Sequence, residues 1–269
     1  MPSSEKVILK TAAEIAKMRE AGRIVAQALH LMEEMVKPGV TTKELDSAVE
    51  ELIIKAGGIP TFKDYPSHKH NVPAFPASIC ASVNEQVVHG IPGARVLKEG
   101  DVLSVDIGVH LDGWCGDAAR TYAVGEIGRK AKKLLDVTEN SLKKAIANCR
   151  PGKRLHDVSA AVQKEAESNG FSVVKQFVGH GIGRDMHEAP QIPNYVCGPN
   201  ERLSGNFPDL VLKEGMVFAI EPMVNTGSSD VLVDRSDGWT VYTKDRGLSA
   251  HFEHSIAITA NGPQILTEL

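Results

Sequence analysis

Four carboxylates stand at matched places in this 269-residue chain. Asp106 ends the stretch Leu97-Lys98-Glu99-Gly100-Asp101-Val102-Leu103-Ser104-Val105, and Glu221 ends its echo, Leu212-Lys213-Glu214-Gly215-Met216-Val217-Phe218-Ala219-Ile220. A second acid follows each, on a segment that reads as a return strand: Asp117 after Asp106, and Glu253 after Glu221. Four negative charges share one cleft only when cations or protons neutralise them. Two divalent ions would do so, and oxygen ligands joined by one or two imidazoles suit Mn, Fe, Co or Zn. Such a pair holds a water between its ions and lowers its pKa toward neutrality, which makes a nucleophile at pH 7. The imidazole is expected from a glycine-flanked turn. Val88-His89-Gly90-Ile91-Pro92 and Gly179-His180-Gly181-Ile182-Gly183 are two such segments, and His187, followed by Glu188-Ala189-Pro190, shares the second turn region. His30, His110 and His156 read as ordinary core or surface residues, and His68 and His70 as rim residues.

The elements that would position these acids come in two copies. Lys37-Pro38-Gly39 recurs as Arg150-Pro151-Gly152, and Gly57 as Gly170, in the same order as the longer echo. Each half reads as helix, Pro-Gly turn, helix, glycine stop, then strands. Thr11 with Glu14, and Thr41 with Glu44, have the spacing of capping boxes at helix starts. Alternation along the first strand puts Val102, Ser104, Asp106 and Gly108 on one face, with Leu103, Val105, Ile107 and Val109 on the other. The second strand has the same parity, Val217, Ala219 and Glu221 against Phe218 and Ile220. The bulky face is the expected core face, and the face of the acids is the expected cleft. A two-residue turn at Leu111-Asp112 would set Asp106 opposite Asp117. In the other half, Ala250 to Ile256 is expected as one continuous return strand, with His251, Glu253 and Ser255 on the cleft side. The stretch from Pro193 to Pro208 is expected to be a long surface loop.

Bulk properties narrow the class. A net charge of −4 gives no electrostatic case for nucleic acid or an anionic membrane. No apolar run approaches the roughly 18 residues of a transmembrane helix, and the polar start, Met1 to Lys6, is unlike a signal peptide. Cys80, Cys115, Cys149 and Cys197 lack metal-knuckle spacing and read as reduced thiols of a cytoplasmic protein.

The segments Asp106 to Asp117 (DIGVHLDGWCGD), Val178 to Pro190 (VGHGIGRDMHEAP), Phe218 to Val224 (FAIEPMV) and Ser249 to Ile256 (SAHFEHSI) together resemble the type I methionine aminopeptidases. The likeness runs from about Ile8 to Leu266. It implies an α+β pita-bread fold: two pseudo-symmetric halves, roughly 10–125 and 128–266, in a single catalytic domain spanning 1–269, with curved antiparallel sheet inside and helices outside. It also implies two divalent ions per subunit, bound by Asp106, Asp117, His180, Glu221 and Glu253, with Asp117 and Glu253 bridging. In that pattern His89 assists the leaving nitrogen, His187 bonds the peptide carbonyl, and Glu221 shuttles a proton. The methionine pocket would be lined by Phe75, Cys80, Met186 and Trp239. The implied substrates are N-termini of nascent polypeptides whose second residue is small and uncharged. The implied setting is a cytoplasmic monomer, transiently near the ribosome, with neither nucleic acid nor membrane as partner. One departure stands out: Asn71-Val72-Pro73-Ala74-Phe75-Pro76 carries Val72 where the family often has tyrosine. Two rival readings are a proline-specific aminopeptidase or prolidase, which usually carries a further N-terminal domain, and a non-catalytic relative that binds RNA or ribosomes and has lost ligands.

Overall fold

The computed structural model describes residues 6–67, 71–196, 207 and 209–269. The first part of the chain runs α1 (Ala12–Met35), α2 (Thr42–Lys55), β1 (Ile59–Pro60), β2 (Ile79–Val83), β3 (Gln86–Val88), β4 (Val102–Leu111) and β5 (Trp114–Ala123). The order then restarts with α3 (Arg129–Ala147), α4 (Leu155–Ser168), β6 (Ser172–Val173), β7 (Gly179–Gly181), β8 (Glu188–Ile192) and β9 (Val217–Ile220). It ends with β10 (Met223–Asn225), β11 (Val231–Val233), β12 (Val241–Thr243), β13 (Ser249–His251), β14 (His254–Thr259) and β15 (Gly262–Ile265). All strand pairings among the described residues are antiparallel.

The helix starts follow the sequence. Thr11 Oγ1 accepts from the Glu14 N–H at 3.3 Å while the Glu14 carboxylate accepts from the Thr11 N–H at 2.8 Å. Thr41 and Glu44 repeat the arrangement at 3.2 and 2.7 Å. Helices α1 and α2 end outside the Pro-Gly turn and Gly57, and their apolar faces bury Leu29, Met32, Leu45 and Ile53 against Leu103, Val105, Ile107 and Val109 of β4. A second core repeats this, with Leu142, Ile146, Leu155 and Val158 of α3 and α4 against Phe218, Ile220, Ile256 and Ile258. The connections match as well. Gly39 N–H donates to Leu97 carbonyl and Leu97 N–H to Val40 carbonyl, as Gly152 N–H does to Leu212 and Leu212 N–H to Lys153.

Three sequence expectations need correction. The β4–β5 turn is Asp112-Gly113, because both residues take positive φ, 49° and 83°, as a tight hairpin of this kind requires. Moving the turn by one residue moves every partner by two. Asp117 therefore faces Gly108, and Asp106 faces Ala119, so the two acids are diagonal neighbours on one face rather than direct opposites. The return segment from Ala250 to Ile256 is not continuous. It breaks at Phe252-Glu253, across from Glu221-Pro222, where Pro222 has no N–H to continue the ladder. Finally, Asn194 and Tyr195 are fully buried, so the stretch from Pro193 does not begin as a surface loop. Asn194 Nδ2 donates to the Glu221 carbonyl at 2.9 Å, which satisfies that oxygen where the ladder stops. Residues 197–206 and 208 of this stretch, Cys197 among them, lie outside the described residues, as do His68 and His70.

Candidate active site

Asp106, Asp117, His180, Glu221 and Glu253 line one cavity of about 310 Å³, together with His89, His187, Phe75, Cys80, Met186 and Trp239. The acids arrive from four strand segments. Asp106 and Asp117 lie on β4 and β5, whereas Glu221 follows β9 and Glu253 precedes β14. A seam joins the two return segments. Ser255 Oγ donates to the Asp117 carbonyl at 2.8 Å and accepts from the Asp117 N–H at 3.2 Å. The Glu253 N–H donates to the Ala119 carbonyl at 2.8 Å, and the His251 N–H to Thr121 Oγ1 at 2.8 Å.

His180 owes its place to its neighbours. A Cβ at Gly179 would come within 2.4 Å of the Ala219 carbonyl oxygen, and one at Gly181 within 2.2 Å of that of Ala189, so only glycine lets β7 lie this close to its partners. His180 thus sits buried on a strand and not in the expected turn, and its glycine flanks serve strand packing. His180 Nδ1 lies 3.0 Å from the Gly181 carbonyl, which can only accept, so Nδ1 carries the proton. Nε2 is then left with its lone pair free to accept, and it lies 3.6 Å from an oxygen of Asp117 and 3.6 Å from one of Glu221. Those separations are too long for hydrogen bonds. Burial holds this imidazole neutral, its pKa pushed down to about 4.

The acids make a high-energy cluster without cations. Asp106 Oδ1, Asp117 Oδ1 and Glu253 Oε1 are buried with no hydrogen-bond partner among the described residues. Burial pushes Asp117 up to about 7. Burial, then the neighbouring carboxylates, raises Asp106, Glu221 and Glu253 well above the usual range. Donor atoms of Asp117, His180 and Glu253 lie within 4.8 Å of one another. Orphaned buried oxygens beside a neutral imidazole fit a divalent cation, whose charge would hold the carboxylates ionised.

The opposite wall is aromatic. Phe75 stands edge-on to Trp239 with ring centroids 5.4 Å apart, and Trp239 Nε1 donates to the Pro73 carbonyl at 2.9 Å. Cys80 is paired with Asp106 across β2 and β4, and burial raises its thiol pKa. Val72 packs against Gly238, beside the Trp239 turn. His89 takes a left-handed backbone conformation, φ 57°, and its ring stands edge-on to Phe177 and Trp239. His187 lies ring to ring with His180 at 4.2 Å. Phe62, Tyr65 and Phe177 also line the cavity and were not singled out from sequence. His251, expected on the cleft side with Glu253, lines it as well; its Nε2 lies 3.7 Å from Glu253 Oε2. Tyr65 had none, being in an irregular segment, yet its Oη hydrogen-bonds His187 Nδ1 at 2.7 Å.

Antiparallel sheets from two similar halves around a carboxylate and imidazole centre, each half with its own helix pair, make up the pita-bread fold. The model of metallopeptidase family M24 matches residues 16–260, and the chain belongs to that family. It is 51% identical to methionine aminopeptidase 1 of Bacillus subtilis over 98% of this chain and 100% of that one. The crystal structure of methionine aminopeptidase from Rickettsia prowazekii superposes with a TM-score of 0.90 at 41% identity, over 97% of this chain and 100% of that one. The Thermotoga maritima methionine aminopeptidase structure does so with a TM-score of 0.90 at 44% identity, over 98% and 100%.

Proposed function

We propose that this chain is a methionine aminopeptidase, which removes the N-terminal methionine of peptides and nascent proteins and favours a small, uncharged second residue. The observation that carries the reading is the joining, in one cavity, of a carboxylate and imidazole centre with an aromatic and sulfur-bearing wall. The whole chain acts as one catalytic domain made of two halves, each supplying two of the four acids. Asp106, Asp117, His180, Glu221 and Glu253 would hold two divalent ions, with Co, Mn, Fe or Zn as candidates by donor type. When bound, such ions supply Lewis-acid polarisation of the scissile carbonyl and a water-derived nucleophile at neutral pH.

The remaining chemistry falls to side chains. The methionine side chain packs among Phe75, Cys80, Met186 and Trp239, with Phe62 and Tyr65 completing the apolar wall. His187 donates a hydrogen bond to the scissile carbonyl as negative charge builds on its oxygen, an interaction of about 2.7–4 kcal/mol in comparable sites. Glu221 takes the proton from the attacking water, and His89 steadies the leaving nitrogen as that proton reaches it. The preference at the second residue rests on the family likeness. Three described cysteines are free and buried, which suits the reducing cytoplasm where nascent chains emerge. A monomer working transiently near the ribosome belongs to the same reading.

The test is kinetics on Met-Ala-Ser, Met-Leu-Ser and Xaa-Pro peptides with the chelated protein reloaded by each metal in turn. Cleavage of Met-Ala-Ser well above Met-Leu-Ser, with Xaa-Pro inert, supports the proposal. Preferential hydrolysis of Xaa-Pro would replace it with the prolidase reading. No divalent-ion binding and no hydrolysis would favour the non-catalytic one.

A further inference from the structure

We propose that Tyr65 is a positioning residue that fixes the His187 ring with its proton on Nε2, the tautomer needed to donate toward the scissile carbonyl. This rests on the aminopeptidase reading for the role of His187. The geometry is direct: Tyr65 Oη lies 2.7 Å from His187 Nδ1, and the two rings meet edge to face with centroids 5.5 Å apart. Tyr65 is itself held. The Phe75 N–H donates to its carbonyl at 2.9 Å, its own N–H donates to the Phe62 carbonyl at 2.9 Å, and the Asp64 N–H donates to the Phe75 carbonyl at 2.8 Å. The phenol is thus tied into the segment that builds the wall around Phe75.

A neutral imidazole carries one proton, and its hydrogen bonds decide where. A hydroxyl can donate or accept, so the surroundings must choose. Partial burial, then the charge of Asp185, raises the Tyr65 pKa, which keeps the hydroxyl protonated and able to donate. A phenol O–H is a stronger acid than an imidazole N–H, and a bare imidazole nitrogen is a stronger base than a phenol oxygen. Across the 2.7 Å contact the tyrosine proton therefore takes the bond to Nδ1, and the histidine proton falls on Nε2. His180 offers the contrast within the same cavity. A backbone carbonyl at its Nδ1 forces the opposite tautomer, which leaves Nε2 bare to ligate. Two adjacent histidines are thereby set to opposite jobs, one by a carbonyl and one by a phenol.

The test combines nitrogen-15 NMR of histidine-labelled, zinc-loaded protein with kinetics on Met-Ala-Ser. The His187 resonances are assigned by comparison with His187→Gln. The wild-type spectrum is expected to show His187 as the Nε2–H tautomer, and Tyr65→Phe to shift it toward Nδ1–H. Tyr65→Phe should lower kcat about tenfold, one hydrogen bond's worth, with KM within twofold. In the His187→Ala background the same substitution should cost nothing further, because Tyr65 acts through that ring. A wild-type Nδ1–H tautomer overturns the proposal without any variant. So does an undiminished kcat in Tyr65→Phe when His187→Ala is slow, or an additive double variant. If instead the Nε2–H tautomer is found but wild-type enzyme releases no methionine, the aminopeptidase reading fails and the Tyr65 assignment stands.

Discussion

The backbone N–H of Glu253 donates to the carbonyl of Ala119 at 2.8 Å, two residues beyond Asp117 on its strand. Glu253 therefore takes its place from the other half's β5 and not from its own ladder, which is interrupted there. The hydroxyl of Ser255 completes the attachment by bonding both backbone groups of Asp117. Ser255 is fully buried, so Ser255→Ala leaves an N–H and a carbonyl without that partner. Unfolding free energy should fall by about 1–3 kcal/mol. Affinity for Mn²⁺ or Zn²⁺ should drop about 10–100-fold, as when the support of a ligand is lost. Denaturant melts and calorimetric titration check the two effects separately, and unchanged metal affinity would show that the seam is structural only.

Asp117→Asn removes a charge from the centre while keeping shape. Divalent-ion affinity should fall by on the order of 100-fold or more, beyond a supporting-residue loss, and turnover of Met-Ala-Ser should nearly vanish. Near-native turnover at modest metal concentration would sink the bridging role of Asp117.

The metal-free protein should have an unusual pH optimum of stability. Burial raises Asp117 to about 7, with Asp106, Glu221 and Glu253 raised well above their usual range. Ionising them opposes folding, so stability is lost as pH rises from the ordinary carboxylate range through about 7. The buried imidazoles work the other way. His180 and His254 are pushed down to about 4 and His251 to about 3, chiefly by burial, whereas an unfolded histidine titrates near 6.5. Below that pH these three sites offset part of the gain from the four acids without reversing it, so the optimum lies on the acid side of neutrality. Thermal melts of chelated protein should give a higher Tm at pH 6 than at pH 8, while metal-loaded protein holds its Tm to pH 8. A chelated Tm that climbs steadily from pH 6 to 8 would contradict this.

Lys10 and Glu188 form an ion pair with side chains only 2% and 8% exposed. Glu188 Oε1 also accepts from the Arg184 N–H at 2.8 Å, so the pair ties the N-terminal segment to the turn that carries Met186 and His187. Lys10→Met strands a buried carboxylate and should cost about 3–5 kcal/mol. Lys10→Met with Glu188→Gln should recover much of that, because the amide oxygen still accepts from Arg184 without a charge. Chemical denaturation of the two variants decides it; equal losses would mean that packing, not charge, dominates.

The repeated, local features were the legible ones. The capping boxes at Thr11 and Thr41 and the stops at Gly57 and Gly170 are encoded within a few residues. The strand parity that put Asp106, Asp117, Glu221 and Glu253 on cavity-facing sides was also readable, and it survived a misplaced turn because a shift of two residues preserves the face. What escaped depends on contacts distant in sequence. Tyr65 meets His187 across more than a hundred residues from a segment without periodicity. Asn194 is buried because Pro222 leaves a gap beside Glu221, a need that appears only once the strands are paired.

The seam between β5 and the break after β13 also bears on how the molecule assembles. Each half has its own apolar core and brings only two acids, so its collapse meets limited charge repulsion. Docking the halves is the step that gathers all four. We expect docking to be the late, ion-gated stage of refolding. In stopped-flow experiments, divalent cations should then accelerate the slow phase and leave the early one unchanged, and a metal-independent slow phase would place the gathering of the acids elsewhere on the pathway.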